Sequence, residues 1–448
     1  PMYKQINLVN RWKYHGEKIE SMFGIKGLYD DKLGGQSTFN PDVPVWMQTS
    51  YGFGITTRRA EVFNKTSYNF DEHGDRSLGI QANYTFHDID AFYGLSPYGG
   101  RQQTVYLNLI YQRPLMNEQA QIRLGGGILS DWISETYRMI QLSRAETVSG
   151  LFAEYTYTGS EKWSLLAGVR GDYNARLNRL YFIPRANLKY SLNKSMSLRA
   201  SAGSGFRTAN IFAENAQLFA SNRNVNILEA LLPEYSWNYG LNFSYTFQQR
   251  TKEGRFSVDL FRTDFINQVV ADFDASPQSV NFYNLNGNSY AWYFQAEWYR
   301  EIVRNVDIRL AYKFNDVWIT QRGILMEKML NAKHRALLNV AYQTPRKNWK
   351  VDFTTQWVGK QRLPDYSSNP ETYQIRKYSP SYFRMLGQIT YLFKKLECYV
   401  GSENINNFTQ KDLIIDPGHP NGEYFDAGSI WGPTLGRMIY GGFRYTIL

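Results

Sequence analysis

Cysteine, long apolar runs and catalytic motifs are all scarce or missing in this sequence. Cys398 is the one cysteine among 448 residues, so no disulfide framework is available. It lies in the strand-like stretch KKLECYV, where a small apolar side chain fits better than a reactive thiol. No stretch approaches 18 consecutive apolar residues, which excludes a transmembrane helix.

The motifs that usually reveal an enzyme are also missing. The five histidines are scattered, and none forms HExxH or another pair at metal-ligand spacing. There is neither a Walker loop nor a nucleophile elbow. The sequence therefore predicts no enzyme, no resident metal and no cofactor.

Aromatic residues, in contrast, are abundant. They make up 16% of the chain, with 34 Tyr, 27 Phe and 11 Trp, and they favour strands because their rings fit a pleated surface. The mean hydropathy of −0.48 does not exclude a membrane barrel, since alternate residues of each barrel strand are polar. The net charge of +10 is spread without a dense basic run. It fits a solvated lumen and a surface facing lipopolysaccharide, and we expect no nucleic-acid partner.

Apolar and polar residues alternate almost everywhere, most clearly from Tyr235 to Phe247. Odd positions there are aromatic or leucine, and even positions are small or polar, as in YSWNYGLNFSYTF. Such a strand presents one apolar face and one polar face. Soluble sandwiches also alternate, so the pattern alone does not identify a membrane protein.

Strand length and loop asymmetry discriminate further. The alternating runs span roughly 10 to 15 residues, enough to cross a bilayer at a tilt. Short turns are predicted near Glu17, Gly74, Asn117, Ser160, Lys194, Lys252, Arg304, Lys347 and Lys394. Longer irregular segments are predicted at Asp31–Ser50, Asp131–Leu142, Asn210–Pro233, Asp272–Asn288, Thr320–Lys333, Leu363–Tyr378 and Asn407–Pro433. Short turns on one rim and long loops on the other are typical of an all-β, transmembrane antiparallel β-barrel of the outer membrane.

The strand count predicts that the barrel is incomplete in this chain. These turns give about nineteen strands, whereas single-chain bacterial barrels have an even number. The first strand, Met2 to Tyr14, runs toward a short turn, so an ascending strand must precede it. We therefore expect residues 1–448 to be one domain, the C-terminal part of a longer outer-membrane barrel.

Three segments carry a family resemblance. They are GSGFRTANIFAEN at Gly203 to Asn215 with the Pro233-Glu234 pair beyond it, GSENINNF at Gly401 to Phe408, and LGRMIYGGFRYTIL at the C-terminus. In order and spacing they resemble TonB-dependent outer-membrane transporters. That family has 22 strands, so the resemblance implies that three strands are absent here. Two features depart from it: no plug domain or TonB box is visible, and the last residue is Leu448 rather than an aromatic.

The resemblance implies a function and a set of partners. Extracellular ligand binds the long loops and the apex of the plug, and TonB pulls on the plug to open a path. The expected partners are the N-terminal plug with the first strands, the TonB energy-transducing complex, outer-membrane lipid and lipopolysaccharide. A surface-exposed lipoprotein is expected if the cargo is a glycan or peptide.

The candidate ligand residues are aromatic or charged groups placed at loop tips. Aromatics offer an apolar face with a polar handle, and arginine grips carboxylates or phosphates with two bonds. The candidates are Trp132, Tyr137, Phe212, Glu214, Arg223, Trp318, Arg322, Tyr366 and Trp431. An alternative for each aromatic is the interfacial girdle. For each arginine, an ion pair inside the barrel or a contact with acidic residues of the plug is favoured over ligand binding. Arg207 and Arg437 in particular are expected to be structural.

The first functional hypothesis is active import of a scarce bulky nutrient across the outer membrane. Metal chelates such as cobalamin, haem or a ferric siderophore come first, and glycans or peptides second. The rivals are a passive pore or assembly barrel without TonB, and a soluble β-propeller that binds or hydrolyses glycans. A propeller needs four short strands per repeat, whereas this chain offers two long ones.

Overall fold

The computed structural model describes residues 2–72, 74–116, 119–249 and 252–447, and the regular secondary structure among these residues is almost wholly β. One α-helix is found among them, the four-residue α1 (Ile211–Glu214). No helix in the described residues has the length and apolar character needed to cross a membrane. The predicted turn at Asn117 lies outside the described residues.

The strands are, in chain order, β1 (Met2–His15), β2 (Ile19–Gly35), β3 (Gly52–Asn69), β4 (Ser77–Tyr93), β5 (Ser96–Leu115), β6 (Ala120–Tyr137), β7 (Ile140–Tyr157), β8 (Trp163–Asn174), β9 (Arg179–Ser191), β10 (Met196–Arg207), β11 (Asn224–Ile227), β12 (Glu234–Gln249), β13 (Lys252–Asn267), β14 (Val269–Ser276), β15 (Ser279–Asn284), β16 (Ser289–Val303), β17 (Val306–Gln321), β18 (Ile324–Glu327), β19 (His334–Gln343), β20 (Trp349–Val358), β21 (Tyr382–Phe393), β22 (Leu396–Glu403) and β23 (Met438–Tyr445).

The chain divides into two compact units. The first consists of Pro1–Leu188, Leu218–Asn222 and Asp416–Phe425. Within it, β1 to β8 form an antiparallel meander in which each strand pairs with the next along the chain. The strands reach 20 residues in β5, long enough for a tilted crossing of a bilayer.

The second unit consists of Lys189–Gln217, Arg223–Ile415 and Asp426–Leu448. Its antiparallel series runs β10, β12, β13, β16, β17, β19, β20, β21, β22 and β23. A separate small sheet joins β15 to β14 antiparallel and to β11 parallel. In the described residues neither unit's series closes on itself.

The structure confirms the predicted strand number and the positions of the described short turns. Among the described residues, β1 to β8 and most of β9 belong to the first unit, and the second contains the ten strands of its series, which makes nineteen. The turns after β1, β3, β7, β9, β16, β19 and β21 fall where the polar breaks in the pattern predicted them. Period-two alternation therefore set both strand number and strand position.

Five predicted irregular segments contain strand residues; Asp31–Ser50 includes the end of β2, and Asn210–Pro233 includes β11. Asp131–Leu142 is wrong as a loop, because β6 and β7 meet in a two-residue turn of Arg138 and Met139. The polar residues Asp131 and Glu135 suggested a loop, but they occupy the polar side of a continuing strand. Asp272–Asn288 contains the β14–β15 hairpin. Thr320–Lys333 contains the β17–β18 hairpin, whose turn residues Arg322 and Gly323 have φ of 51° and 76°, the positive values that a type I′ turn requires.

The long strands of both antiparallel series have an apolar side and a polar side. In β5, Val105, Leu107 and Leu109 are 39%, 46% and 45% exposed, whereas Asn108 between them is 6% exposed. In β12, Leu241 is 58% exposed, while the next residue, Asn242, donates a 2.7 Å hydrogen bond to Asp259. We call the side that carries Leu107 and Leu241 the apolar face and the opposite side the polar face. An apolar side that stays exposed along a long strand is suited to contact with hydrocarbon.

Ion pairs hold the polar face of the first unit together. Asp131 and Arg144, on neighbouring strands, are 3.3 Å apart, and Lys26 and Glu61 are 3.1 Å apart. Glu154, 4% exposed, pairs with both Arg123 and Arg185. Buried carboxylates are tolerated only when cations or hydrogen-bond donors offset their desolvation, and this face supplies those cations.

Candidate functional site

A polar pocket of about 470 Å³ lies in the second unit, where the polar face meets the segment around Trp431. Its lining combines charged, polar and aromatic groups: Arg335, Gln356, Val358, Tyr382, Arg384, Glu403, Asn404, Ile430, Trp431, Gly432, Pro433, Thr434, Leu435, Gly436 and Met438. Its volume is within the range of pockets that hold small ligands.

Strand ends place the charged groups of this pocket. Arg335 is the second residue of β19, Arg384 the third of β21, and Glu403 the last of β22. Arg384 Nη2 lies 2.6 Å from Glu403 Oε2, and both side chains are 38% exposed. The pair therefore neutralises itself, while Arg335 supplies a second guanidinium to the same pocket.

Aromatic rings form the other wall. Tyr382 stacks on Phe408 at 4.8 Å with an interplanar angle of 4°, and Trp431 lies 6.0 Å from Tyr382. Backbone bonds fix Trp431: its N–H donates to Gln410 Oε1 at 2.8 Å, and its carbonyl accepts from Gln361 Nε2 at 2.8 Å. Flat rings beside guanidinium groups suit a planar or aromatic anionic ligand.

The GSENINNF segment holds the loop that carries Trp431. Asn404 Nδ2 donates to the carbonyls of Phe408 and Leu435 at 2.7 and 3.0 Å. Arg437 Nε donates to the Ile405 carbonyl at 2.9 Å, a contact within the fold. These residues of the GSENINNF and C-terminal segments therefore stabilise the fold. For Arg437 this is the structural role that the sequence predicted.

A buried polar network fixes the loops of the second unit. Arg223 is 2% exposed, and its Nε donates to Asp426 Oδ2 at 2.9 Å. Its Nη1 donates to the carbonyls of Phe273, Ser276 and Ser279. Tyr366, also 2% exposed, donates to the same Asp426 oxygen at 2.9 Å. We call Arg223, Asp426 and Tyr366 the loop anchor.

Two further ion pairs extend the network beyond the loop anchor. Arg362 binds both carboxylate oxygens of Asp274 at 3.0 and 2.9 Å. Arg322 Nε lies 3.2 Å from Asp272, which is fully buried. Burial, and next the Asp272 carboxylate, raises the pKa of Tyr283 to about 12. Burial is the largest single influence on the pKa of Arg223 and would lower it, but the charges and hydrogen bonds of Asp426 and Tyr366 together outweigh burial and raise that pKa.

An aromatic cluster fixes the loop segments of the first unit. The Phe219 ring lies 5.2, 4.4 and 4.9 Å from the rings of Tyr93, Tyr98 and Tyr137. Phe425 contacts Tyr51 at 4.9 Å between centroids. The segments Leu218–Asn222 and Asp416–Phe425 are therefore packed against strand ends rather than free in solvent.

Replacing Phe219 with leucine should loosen this cluster by about 1–2 kcal/mol, because several ring–ring contacts are lost at once. We expect faster hydrogen–deuterium exchange at the amides of residues 218–222 in the full-length protein. The matched control is Phe182→Leu, since Phe182 is 63% exposed on a strand. Unchanged exchange at 218–222 would show that the cluster does not hold the segment.

Trp132, Tyr137 and Trp318 are not at loop tips. Trp132 and Tyr137 belong to β6, and Trp318 belongs to β17. The prediction treated the polar residues near them as loop signals, although those residues only mark the polar face. Tyr137 is fully buried in the aromatic cluster.

The two tryptophans lie on the apolar face. Trp132 is opposite Gln103, two residues along β5 from Val105. Arg101, two residues beyond Gln103 on the same face of β5, pairs with Asp88 at 3.1 Å. Charged residues therefore begin where the apolar face ends. Trp318 Nε1 donates to Asp316 at 2.9 Å. These positions match an interfacial girdle, the alternative given for single aromatics.

The remaining candidates are in irregular segments or tight turns. Phe212, in α1, is fully buried, and Glu214 pairs with Arg207 at 2.7 Å. Arg207 also pairs with Glu234 at 2.6 Å, which gives it the structural role expected. Arg322 occupies the β17–β18 turn with its side chain 50% exposed. The structure joins Arg223 and Tyr366, with the Arg223 guanidinium 5.2 Å from the Tyr366 ring, and places Trp431 in the polar pocket.

Sequence reasoning missed Arg335, Arg384 and Tyr382 as pocket residues. Each lies in the first three residues of a strand that follows a long irregular segment, on the polar face of that strand. That combination is the signal that could have found them. Asp426 was missed because nothing in its sequence surroundings distinguishes a buried carboxylate from a loop aspartate. In the described part of the chain, no group of three or more His, Cys, Asp or Glu side chains is placed to hold a metal ion.

Comparisons with solved structures support the fold. The siderophore receptor PiuA from Acinetobacter baumannii aligns with a TM-score of 0.67 and 12% identity, covering 99% of this chain and 74% of PiuA. The ferripyoverdine receptor of Pseudomonas aeruginosa aligns with a TM-score of 0.67 and 13% identity, covering 99% of this chain and 65% of the receptor. The unliganded ferric citrate transporter FecA aligns with a TM-score of 0.69 and 15% identity, covering 99% of this chain and 70% of FecA. At these identities the likeness shows the fold alone.

No curated protein matches the sequence significantly. The family model described as TonB dependent receptor-like, beta-barrel, matches residues 11–405, most of the chain. That family consists of outer-membrane transporters and receptors that work with TonB and a plug, not of enzymes. The nineteen long antiparallel strands, the opposed apolar and polar faces and this match agree with one another: the chain belongs to the TonB-dependent receptor β-barrel family.

Proposed function

We propose that this chain is the C-terminal, multi-pass part of a 22-stranded outer-membrane barrel that imports an anionic metal chelate. The polar pocket carries this proposal. Arg335 and Arg384 against one acid, Glu403, give it a net positive charge, and Tyr382 and Trp431 add flat apolar surface. Carboxylates and catecholate-type oxygens of a ferric chelate are ligands that guanidinium groups bind well.

Among metal chelates, a ferric siderophore or ferric carboxylate fits this pocket better than cobalamin or haem. The solved neighbours include receptors named for ferripyoverdine and ferric citrate. Haem commonly takes an axial ligand such as histidine, and the lining of the pocket contains no histidine among its described residues. Trp431 is proposed to contact the chelate directly, and the loop anchor is proposed to hold the loops around it.

Energy coupling is proposed to follow the family. A plug supplied by sequence outside this chain would close the barrel, and TonB would pull on that plug to release the bound chelate. The polar face would line the path of the chelate through the barrel. Its charges are paired, so the surface is hydrated without a strong electrostatic field that would hold the chelate back. The apolar face would contact lipid and lipopolysaccharide. A surface lipoprotein is not required for a chelate of this size.

Uptake by the full-length receptor tests the proposal. Cells expressing it as their sole iron receptor should take up ⁵⁵Fe supplied as citrate or as hydroxamate and catecholate siderophores, and deletion of TonB should abolish uptake of the accepted chelate. Passage that is independent of TonB and extends to unrelated small solutes would favour the passive pore instead. Growth on glycans or peptides without iron uptake would favour the second cargo class.

The Arg384→Gln variant tests the pocket itself. Loss of one charge-assisted contact should weaken chelate binding about tenfold. Arg346→Gln is the matched control, because Arg346 is exposed in the short turn between β19 and β20. Binding is measured by tryptophan fluorescence quenching in detergent. Equal affinity in both variants would remove Arg384 from the ligand site.

A further inference from the structure

A groove of about 380 Å³ interrupts the apolar face of the second unit. It crosses β13, β16, β17, β19, β20 and β21, and its exposed lining is almost wholly apolar. Large side chains form its walls: Phe256, Trp298, Leu310, Tyr312, Leu338, Trp357 and Phe383.

Two alanines make the groove. Ala296 is opposite Val258 and Tyr312, and Ala336 is opposite Tyr312 and Trp357. A methyl group between larger side chains leaves a depression along the strands, because the neighbouring side chains do not fill the space above it. An acyl chain lying in an apolar groove touches protein atoms on more sides than it does on a flat surface. It therefore gains more van der Waals contacts in the groove.

Basic residues border one end of this groove. Arg300 is on β16 two residues from Trp298, on the same face, and its guanidinium lies 5.8 Å from the Phe247 ring. The three adjoining short turns have the sequences RN, TPRKN and KK, at 304–305, 344–348 and 394–395. They contain five basic residues and no acidic residue. An apolar channel that ends at a basic rim matches a molecule with an acyl chain and an anionic head.

We propose that this groove binds one phospholipid of the leaflet at the short-turn rim, with an acyl chain along Ala296 and Ala336. Its phosphate would lie between Arg300 and the basic turns. The inference rests on the proposed function, because only an outer-membrane barrel places the short-turn rim at the periplasmic leaflet. Lipopolysaccharide occupies the opposite leaflet, so the position of the basic rim favours phospholipid.

Native mass spectrometry of the full-length receptor tests the proposal. The receptor is released from nanodiscs that contain phosphatidylethanolamine and phosphatidylglycerol, and bound lipid is counted for each variant. Ala296→Leu fills the groove and Arg300→Gln removes the adjoining charge. Either change should lower retained phospholipid about tenfold. Ala82→Leu is the matched control, because Ala82 is opposite Leu107 in the other unit's apolar face.

Several outcomes would overturn the proposal. One is equal lipid retention in all variants, and another is retention of lipopolysaccharide in place of phospholipid when nanodiscs contain both. A dimer that dissociates on Ala296→Leu would show that a second copy occupies the groove. Heat-modifiable migration and chelate uptake are measured on the same variants. Loss of lipid from a variant that still takes up the chelate would support the lipid site independently of transport. Absence of chelate uptake in all variants and in the wild type would count against the transport function alone.

Discussion

Replacing Arg223 with alanine is expected to release the loops of the second unit, at a cost of about 3–5 kcal/mol in local stability. Arg223 is 2% exposed, and Asp426, its partner, is 5% exposed. Removing the guanidinium leaves a buried carboxylate whose charge is no longer offset. It also removes the group that donates hydrogen bonds to three backbone carbonyls of β14 and β15.

Hydrogen–deuterium exchange of the full-length receptor measures this effect. Amides of Val269–Ser276, Ser279–Asn284 and the segment around Asp426 should lose protection, while those of β12 and β13 should keep it. Arg376→Ala is the matched control, since Arg376 is exposed in another loop of the same unit. Protection that is the same in both variants would mean that the loop anchor contributes no net stability.

The Asp426→Asn variant separates charge from shape at the same position. Tyr366 can still donate to the amide oxygen, but the amide no longer carries the negative charge that offsets Arg223. We expect most of the stability loss of Arg223→Ala to recur. High salt should change neither result much, because a pair this deeply buried is little screened.

Replacing Leu107 with arginine is expected to block assembly of the barrel in the membrane. Leu107 is near the middle of β5, 46% exposed on the apolar face. Arginine at the midplane of a lipid-facing strand costs about 2–4 kcal/mol. The folded fraction, read from heat-modifiable migration after refolding into lipid vesicles, should therefore fall steeply.

Thr104→Arg is the control for this variant, because Thr104 is three residues away in the same strand but on the polar face. Its hydroxyl donates to Asp131 at 2.7 Å, so an arginine there meets a carboxylate. We expect nearly normal folding. If both arginines folded equally well, or if Thr104→Arg were the worse of the two, the assignment of the faces would be reversed or wrong.

Much of the fold could be predicted because the information is local in the sequence. Alternation from Tyr235 to Phe247 marks a strand and both its faces without reference to any other residue. Short turns such as Arg304–Asn305 interrupt this pattern over a few residues, so their positions followed as well. Strand ends were harder: β6 and β7 continue through polar residues that look like a loop.

The candidate site was predicted less well because its contacts join distant parts of the chain. Arg223 and Asp426 are 203 residues apart, and no pattern near either one indicates burial. Aromatic and charged side chains in loops were expected to face a ligand, yet Phe212, Arg223 and Tyr366 are buried and hold the loops instead. Long loops still need a core, and the largest side chains supply it.

Ligand contact by the predicted residues therefore stays a prediction. Trp431 is the candidate that the structure places beside guanidinium groups in a pocket. Trp132 and Trp318 match the girdle better because they lie on the apolar face. The same alternation that located the strands, applied to the ends of β19 and β21, would have favoured Arg335 and Arg384.

Spin labels at Leu241 and Asn242 in the membrane-embedded, full-length receptor show whether neighbouring residues of one strand face hydrocarbon and water. In a Cys398→Ser background, each position receives a single cysteine and a nitroxide, and collision rates with oxygen and with a neutral nickel chelate are compared. We expect collisions with oxygen, which concentrates in hydrocarbon, to dominate at position 241 and collisions with the nickel chelate to dominate at position 242. Water-like accessibility at position 241, or no difference between the two positions, would show that these strands do not have a lipid-facing side and a water-facing side.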